Sequence, residues 1–288
     1  SSFKNIFNEL KMTPIIIKGI DKKDPKKIKN LIFENRFVVI ENKNIIPEQE
    51  LVNFYKTLGT VHVQGEKFMS DEYIEKYSGG FRELIAVRNK DLSGYGENGL
   101  FAGLEDGEVD WHCASQNRKY CEDIVAFCIR QLGNSGGNLQ LSDARKPYEN
   151  IDVGFKSMIE DIEVEFELGI WEDFDSEDGW NFKELIGIDG VPAKDTELKY
   201  KKIITKHSVD NKKGFHYSWP IVFKYRDFQE DEFKIIHDKI VSTLMQEQYI
   251  YTHEWKLGDI ILQEQEHSLH RRDPYIGDRL LYRSAIYI

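Results

Sequence analysis

The stretch Ile124–Leu132 constrains this chain more than any other. It is almost continuously apolar and runs into Gly133–Gly137, so it reads as a buried strand closed by a turn. One such strand needs partners. Short β-branched or aromatic runs supply them at Pro14–Ile20, Phe37–Glu41, Glu83–Arg88, Asn138–Leu141, Tyr200–Lys206, Phe215–Tyr225, Tyr249–Trp255, Asp259–Gln263 and Arg279–Ile288. Helical spacing is confined to a few places. Pro47–Gly59 has proline in its first turn, Glu48 and Glu50 near the start, and a glycine at the stop. Its apolar Leu51, Phe54, Tyr55 and Leu58 share one face. Ser142 is placed to cap a helix through Asn150, and Glu230–Gln246 is amphipathic. Many short strands with a few covering helices give a mainly β sandwich or barrel, not a doubly wound sheet. There is no internal repeat and no low-complexity linker, so the expectation is one domain over 1–288.

Composition removes several functions. The formal net charge of −11 argues against a nucleic-acid partner, because phosphate binding needs clustered Lys and Arg. Lysine-rich Asp21–Lys29 is short and interrupted by acids, and reads as solvated surface. No apolar run approaches the roughly 18 residues of a membrane helix, and the first residues lack a secretory pattern, so the expected location is cytoplasmic. Cys113, Cys121 and Cys128 match no zinc spacing and read as reduced thiols. The segment around 159–190 is strongly acidic, with ten carboxylates from Glu160 to Asp178, and is expected to be a solvated insertion or lid. Asp173, Asp175, Glu177 and Glu184 loosely follow a calcium loop, but Asp178 stands where that loop needs glycine.

Chemistry concentrates in Glu108-Val-Asp-Trp-His-Cys-Ala-Ser115, reached through the Gly-rich loop Asp91–Gly107. In an extended strand residues i and i+2 project to one face, so a histidine and a carboxylate two places apart can share a metal ion. Here the residue two after His112 is Ala114, which has no donor atom. Further landmarks follow in order. Gly136–Gly137 comes next, then Trp255-Lys-Leu-Gly-Asp259, then His270 after a short strand and turn, then Arg279 and Arg283 on the final strand.

In this order these residues resemble the TauD/TfdA (taurine dioxygenase-like) family of Fe(II)- and 2-oxoglutarate-dependent oxygenases, from about Phe37 to the C-terminus. The resemblance implies a double-stranded β-helix (jelly-roll, cupin-like) core and a reaction that uses Fe(II), 2-oxoglutarate and O2. His112 resembles the proximal iron ligand and His270 the distal one, with His267 as the competitor for the second role. Arg279 resembles the arginine that grips the far carboxylate of 2-oxoglutarate, a task suited to a planar guanidinium. Arg283, four residues further on, resembles the arginine that holds an anionic group of the substrate. An ion pair that anchors the final strand is an equal alternative for it. The family's threonine near the glycine pair is replaced by Leu139, leaving Gln140 as the candidate for that contact with the co-substrate. On the substrate side stand Trp111, Asn98 in the loop with Tyr95 and Phe101, and His216. His207 and His216 read either as pocket residues or as ordinary buried histidines. His62, His237 and His253 carry no signal.

The usual site of this family is two histidines and one carboxylate. With Ala114 in the third place the iron loses one negative charge and one donor. A chloride ion would restore both, and His112-Cys113-Ala114 resembles the iron/2-oxoglutarate halogenases. The expected reaction is therefore halogenation of an unactivated C–H in a small, amino-acid-like or carboxylate-bearing molecule. Three alternatives stay open. Water in the same place would leave a hydroxylase, desaturase or oxidative cyclase; Asp110, also two residues from His112, could ligate from the other side; or the chain could be a non-catalytic small-molecule binder.

Overall fold

Alternate residues of the long apolar strand go to two different cores, and that is why the run is unbroken. Val125, Phe127 and Ile129 face one way, Ile124, Ala126 and Cys128 the other, and none is more than 5% exposed. The computed structural model describes residues 12–20, 24–63, 69–89, 106–114, 116–119, 121–166 and 198–288.

Among these residues the strands, in chain order, are β1 (Ile15–Lys18), β2 (Phe37–Glu41), β3 (Thr60–Val61), β4 (Ile85–Arg88), β5 (Val109–His112), β6 (Ile124–Gln131), β7 (Ser135–Gly136), β8 (Leu139–Asp143), β9 (Glu163–Phe166), β10 (Tyr200–Lys202), β11 (Ile204–Lys206), β12 (Lys213–Phe215), β13 (Val222–Tyr225), β14 (Ile250–His253), β15 (Ile260–Glu264), β16 (Ser268–Arg272), β17 (Tyr275–Ile276) and β18 (Leu280–Tyr287). The larger sheet runs β1-β2-β15-β6-β18-β3, with β4 also on β18, and a smaller sheet runs β14-β8-β16-β5. Strands distant in sequence are neighbours in both, which is the jelly-roll pattern. Phe37, Val39, Val125, Phe127, Ile261 and Leu281 from the larger sheet meet Leu139 and Leu141 of β8 in the space between the sheets.

Each sheet has a cover on its other face. Helices Pro25–Asn35, Glu48–Leu58 and Asp71–Ser78 bury Ile28, Ile32, Leu51, Tyr55 and Ile74 against Val38, Ile40 and Leu262 of the larger sheet. Behind the smaller sheet lies an outer core that joins Trp111 and Leu269 to Phe155, Val164, Phe215, Ile236 and Ile240. All three cysteines are free, and burial pushes the Cys128 thiol up to about 12.

Several local expectations are corrected. The lysine-rich segment is solvated as expected at Lys26 and Lys27, but it enters a helix at Pro25, where Asp24 caps Lys26 N–H at 3.0 Å, and that helix buries Ile28. Asp143, not Ser142, caps Lys146–Asn150, accepting from the Arg145 and Lys146 amides at 2.8 and 3.1 Å. Tyr200–Lys206 divides at Ile203 because its halves pair with different strands, β10 with β9 and β11 with β12. Phe215–Tyr225 is broken by a 3-10 turn, Trp219–Ile221, around Pro220, which has no N–H for a ladder. The calcium-like positions and most of the acidic insertion lie outside the described residues, as do Tyr95, Asn98 and Phe101 of the Gly-rich loop. Among the described residues no helix is long and apolar enough to cross a membrane.

Candidate active site

β5 and β16 are antiparallel neighbours, and their register sets His112 directly opposite His270. The ring centroids are 4.2 Å apart, and Phe127 of β6 meets His270 edge-on at 5.0 Å. The pair therefore faces the space between the sheets. Period-two alternation carries on past the end of β5: Trp111 and Cys113 enter the outer core, whereas Ala114 packs inward with Phe37, Phe127 and Leu139. The Ala114 N–H donates to Gln265 Oε1 at 2.9 Å, which fixes the backbone there.

His112 Nδ1 lies 2.7 Å from the Asp110 carbonyl oxygen. A carbonyl can only accept, so Nδ1 carries the proton and Nε2 keeps its lone pair. Burial lowers the His112 pKa, outweighing the Asp110 carbonyl bond that raises it. For His270 burial pushes the value well below the ordinary imidazole range, and His112 and Arg283 push the same way. His270 Nδ1 is buried with no hydrogen-bond partner among the described residues. Two neutral imidazoles facing each other, one with an orphaned nitrogen, form a donor set suited to a first-row metal such as iron. The Asp110 carboxylate accepts the Trp111 N–H at 2.7 Å and is exposed. Among the described residues no third His, Cys, Asp or Glu completes a metal cluster with the pair.

Arg279 is 3% exposed, and its Nη2 donates to the Gly137 carbonyl at 3.3 Å. No described carboxylate pairs with it. Burial lowers its pKa to about 10, with the charge of Arg272 acting in the same direction. A buried guanidinium with no counter-ion fits an anionic ligand. Gly137 has φ +75°, and a Cβ there would lie 3.0 Å from Arg279 Nε, so glycine is what lets backbone and guanidinium approach.

The other sequence candidates are dispersed. Arg283 reaches Glu122 Oε1 at 3.3 Å, and its charge acts on both His112 and His270. Gln140 points away from the space between the sheets, because Leu139 and Leu141 on either side of it point inward. Its amide accepts from Arg271 at 2.9 Å and donates to Thr252 Oγ1 at 3.3 Å. Trp111 is on the opposite strand face from His112 for the same reason. His216 sits in the field of Lys201, His267, Glu264 and His207, apart from the facing pair. His267 has both nitrogens engaged, Nε2 with Thr205 Oγ1 at 3.0 Å and Nδ1 with Arg145 Nε at 3.4 Å. Two residues were not foreseen. Phe127 walls the pair, and only strand pairing reveals it; Tyr275 packs beside Arg279, signalled in sequence only by its place between Arg272 and Arg279.

A family model described as taurine catabolism dioxygenase TauD, TfdA family, matches residues 17–285. This chain belongs to the TauD/TfdA family. The family is one of Fe(II)- and 2-oxoglutarate-dependent dioxygenases, and its members are oxidoreductases. No curated protein matches this TauD/TfdA chain in sequence. Among solved structures, a taurine dioxygenase from Burkholderia xenovorans superposes with a TM-score of 0.69 at 11% identity, covering 96% of this chain and 88% of the other. AAD-2 in complex with Mn(II) and N-oxalylglycine gives a TM-score of 0.65 at 18% identity, covering 96% and 94%. At these identities the likeness is one of fold.

Proposed function

We propose that the chain is a 2-oxoglutarate-dependent halogenase whose iron is held by His112 and His270 and whose third protein position, Ala114, is given over to chloride. One observation carries the reading: the inward line of β5 runs from His112 to Ala114 opposite His270, with no described carboxylate in reach. Iron held by His112 and His270 would, with 2-oxoglutarate and O2, supply oxidation of a substrate C–H, and a halide beside Ala114 would supply the chlorine. The chain's own residues do the positioning. The Asp110 carbonyl fixes the His112 tautomer, burial keeps both rings neutral, and Arg279 grips the far carboxylate of 2-oxoglutarate. Phe127, Phe37 and Leu139 give the space beside the pair an apolar lining that would exclude water. Arg283 with Glu122 offers a cation and an anion side by side, which suits a small amino-acid-like substrate.

A second reading, hydroxylation, desaturation or cyclisation with water in the chloride position, is favoured by the dioxygenase character of the family and by the tight packing of Ala114, only 8% exposed. The two readings separate in one experiment. Anaerobic protein loaded with Fe(II) and 2-oxoglutarate is titrated with chloride while its visible charge-transfer absorption is followed. It is then given air and candidate metabolites in excess chloride and bromide, with succinate and product mass as readouts. Halogenation predicts a chloride-dependent band and halogenated product. Ala114→Asp should make the band insensitive to chloride, shift products toward oxygen insertion and cost about 1–3 kcal/mol from crowding. Oxygen insertion alone in the unaltered chain overturns the halogenase reading. Absence of both band and succinate overturns catalysis itself and leaves a small-molecule binder.

A further inference from the structure

We propose that the Tyr275 hydroxyl donates a hydrogen bond to the far carboxylate of 2-oxoglutarate beside Arg279, taking the part for which position 139 has no hydroxyl. This deepens the co-substrate reading above and rests on it.

Tyr275 is anchored where such a contact is needed. β17 pairs with β7, setting Tyr275 opposite Gly136, and the Tyr275 N–H donates to the Asp106 carbonyl at 3.0 Å. The glycine pair makes room. A Cβ on Gly136 would stand 2.3 Å from the Pro274 carbonyl oxygen, and one on Gly137 would stand 3.3 Å from Tyr275 Cβ and 3.0 Å from Arg279 Nε. Two guanidiniums lie near the phenol ring, Arg272 at 4.9 Å and Arg279 at 5.2 Å from its centroid.

The hydroxyl is the part left over. Tyr275 is 4% exposed, and its oxygen has no hydrogen-bond partner among the described residues. A buried phenol normally finds one, because leaving it unpaired costs free energy. Arg279, packed beside it, has no counter-ion among the described residues, and Leu139 contributes only apolar surface. Burial raises the Tyr275 pKa against the opposing pull of Arg272 and Arg279, so the phenol stays protonated and can donate. A carboxylate, which only accepts, satisfies the phenol and the guanidinium together.

Tyr275→Phe keeps the ring and removes only the hydroxyl. Binding is measured anaerobically by calorimetry with Mn(II)-loaded protein, for 2-oxoglutarate and for 2-oxobutyrate, which lacks the far carboxylate. The variant should bind 2-oxoglutarate roughly 10- to 150-fold more weakly. Its affinity for 2-oxobutyrate should stay within about twofold of the unaltered chain, and its ligand-free Tm should hold or rise. An unchanged 2-oxoglutarate affinity overturns the inference, whatever happens to Tm. An equal loss for both oxoacids overturns it too, since the hydroxyl then acts on the scaffold. Failure of the unaltered chain to bind either oxoacid sinks the co-substrate reading along with it.

Discussion

Two groups of buried and part-buried histidines lie in this fold and are built in opposite ways. Around Glu264 the fold itself supplies the partners of the buried carboxylate, although Arg36 Nη2 has none among the described residues. The Glu264 oxygens accept from Arg36 Nη1 at 2.9 Å, from the Glu266 amide at 2.7 Å and from the His267 amide at 3.0 and 3.1 Å, with His207 Nε2 at 3.3 Å. Arg145 spans from His267 to a two-pronged pair with Asp210 at 2.7 and 3.1 Å. Between the sheets, by contrast, among the described residues no carboxylate completes a metal cluster with the facing His112 and His270, and His270 Nδ1 has no hydrogen-bond partner. His270, at 6% exposed, is nearly as deep as His207 and His267, and His112 is part-buried, so burial alone does not distinguish a functional histidine here. What differs is whether the fold itself supplies the counter-charge. Where it does, the group holds the structure; where it does not, the group is set for something that arrives from outside.

The largest effect that tests this contrast is expected at Glu264. Glu264→Gln keeps the shape but leaves Arg36 buried without its anion, and should cost about 3–5 kcal/mol in urea unfolding. At the open pair the pattern should reverse. His270→Leu removes an unpaired nitrogen, so ligand-free stability should stay within about 1 kcal/mol or improve. Mn(II) affinity should fall by more than the roughly 10–100-fold typical of losing an outer partner of a metal ligand. If His270→Leu unfolds the protein as readily as Glu264→Gln, the two groups are of one kind and the contrast fails.

The sheet was legible in the sequence where strands are apolar on both faces. Phe37–Glu41 reads correctly, and Ile124–Leu132 reads as the strand it is, one residue beyond its end at Gln131, because such runs suit a sheet buried on both faces. The elements that misread are those whose limits depend on partners distant in sequence, as with the split at Ile203 and the 3-10 turn at Pro220. The facing histidines follow the same logic. Spacing within β5 makes His112 and Ala114 share a face, but only the pairing of β5 with β16 brings in His270 rather than His267. Gln140 shows the limit of reading by neighbourhood: it is adjacent to Leu139 in sequence, yet one step along a strand turns it to the other face. Tyr275 was invisible because its significance lies in a missing hydrogen bond, which no sequence pattern encodes.

The smallest expected effect is a pH dependence that belongs to the closed group. Arg145 donates to His267 Nδ1, so that nitrogen must keep a lone pair, and Nε2 carries the only proton, toward Thr205. Burial lowers the His267 pKa to about 3, against Glu264, which raises it, and with His207, Arg145 and Arg36 lowering it further. The unfolded chain takes up the proton near pH 6.5 and the folded chain does not, so His267 contributes full stability above 6.5 and loses it as pH falls toward 3. Glu264 acts with the same sign lower down. Burial raises it, but His207 and Arg36 outweigh this and hold it far below 4.5, so its contribution fades only as pH falls below that value. Between pH 6.5 and 4.5 buried His216 and His270 add to this slope in the same direction, while Asp123, raised by burial to about 6, and Asp143, also raised by burial, oppose it, so the His267 share is read from the difference between variant and unaltered chain. His267 alone should account for on the order of 2 kcal/mol at pH 5. Urea unfolding at half-unit steps of pH measures the slope, and His267→Gln should lower it by about one proton near pH 5.5. A slope unchanged in that variant would mean that His267 already carries a charge in the fold, and that the group around Glu264 is less completely closed than its hydrogen bonds indicate.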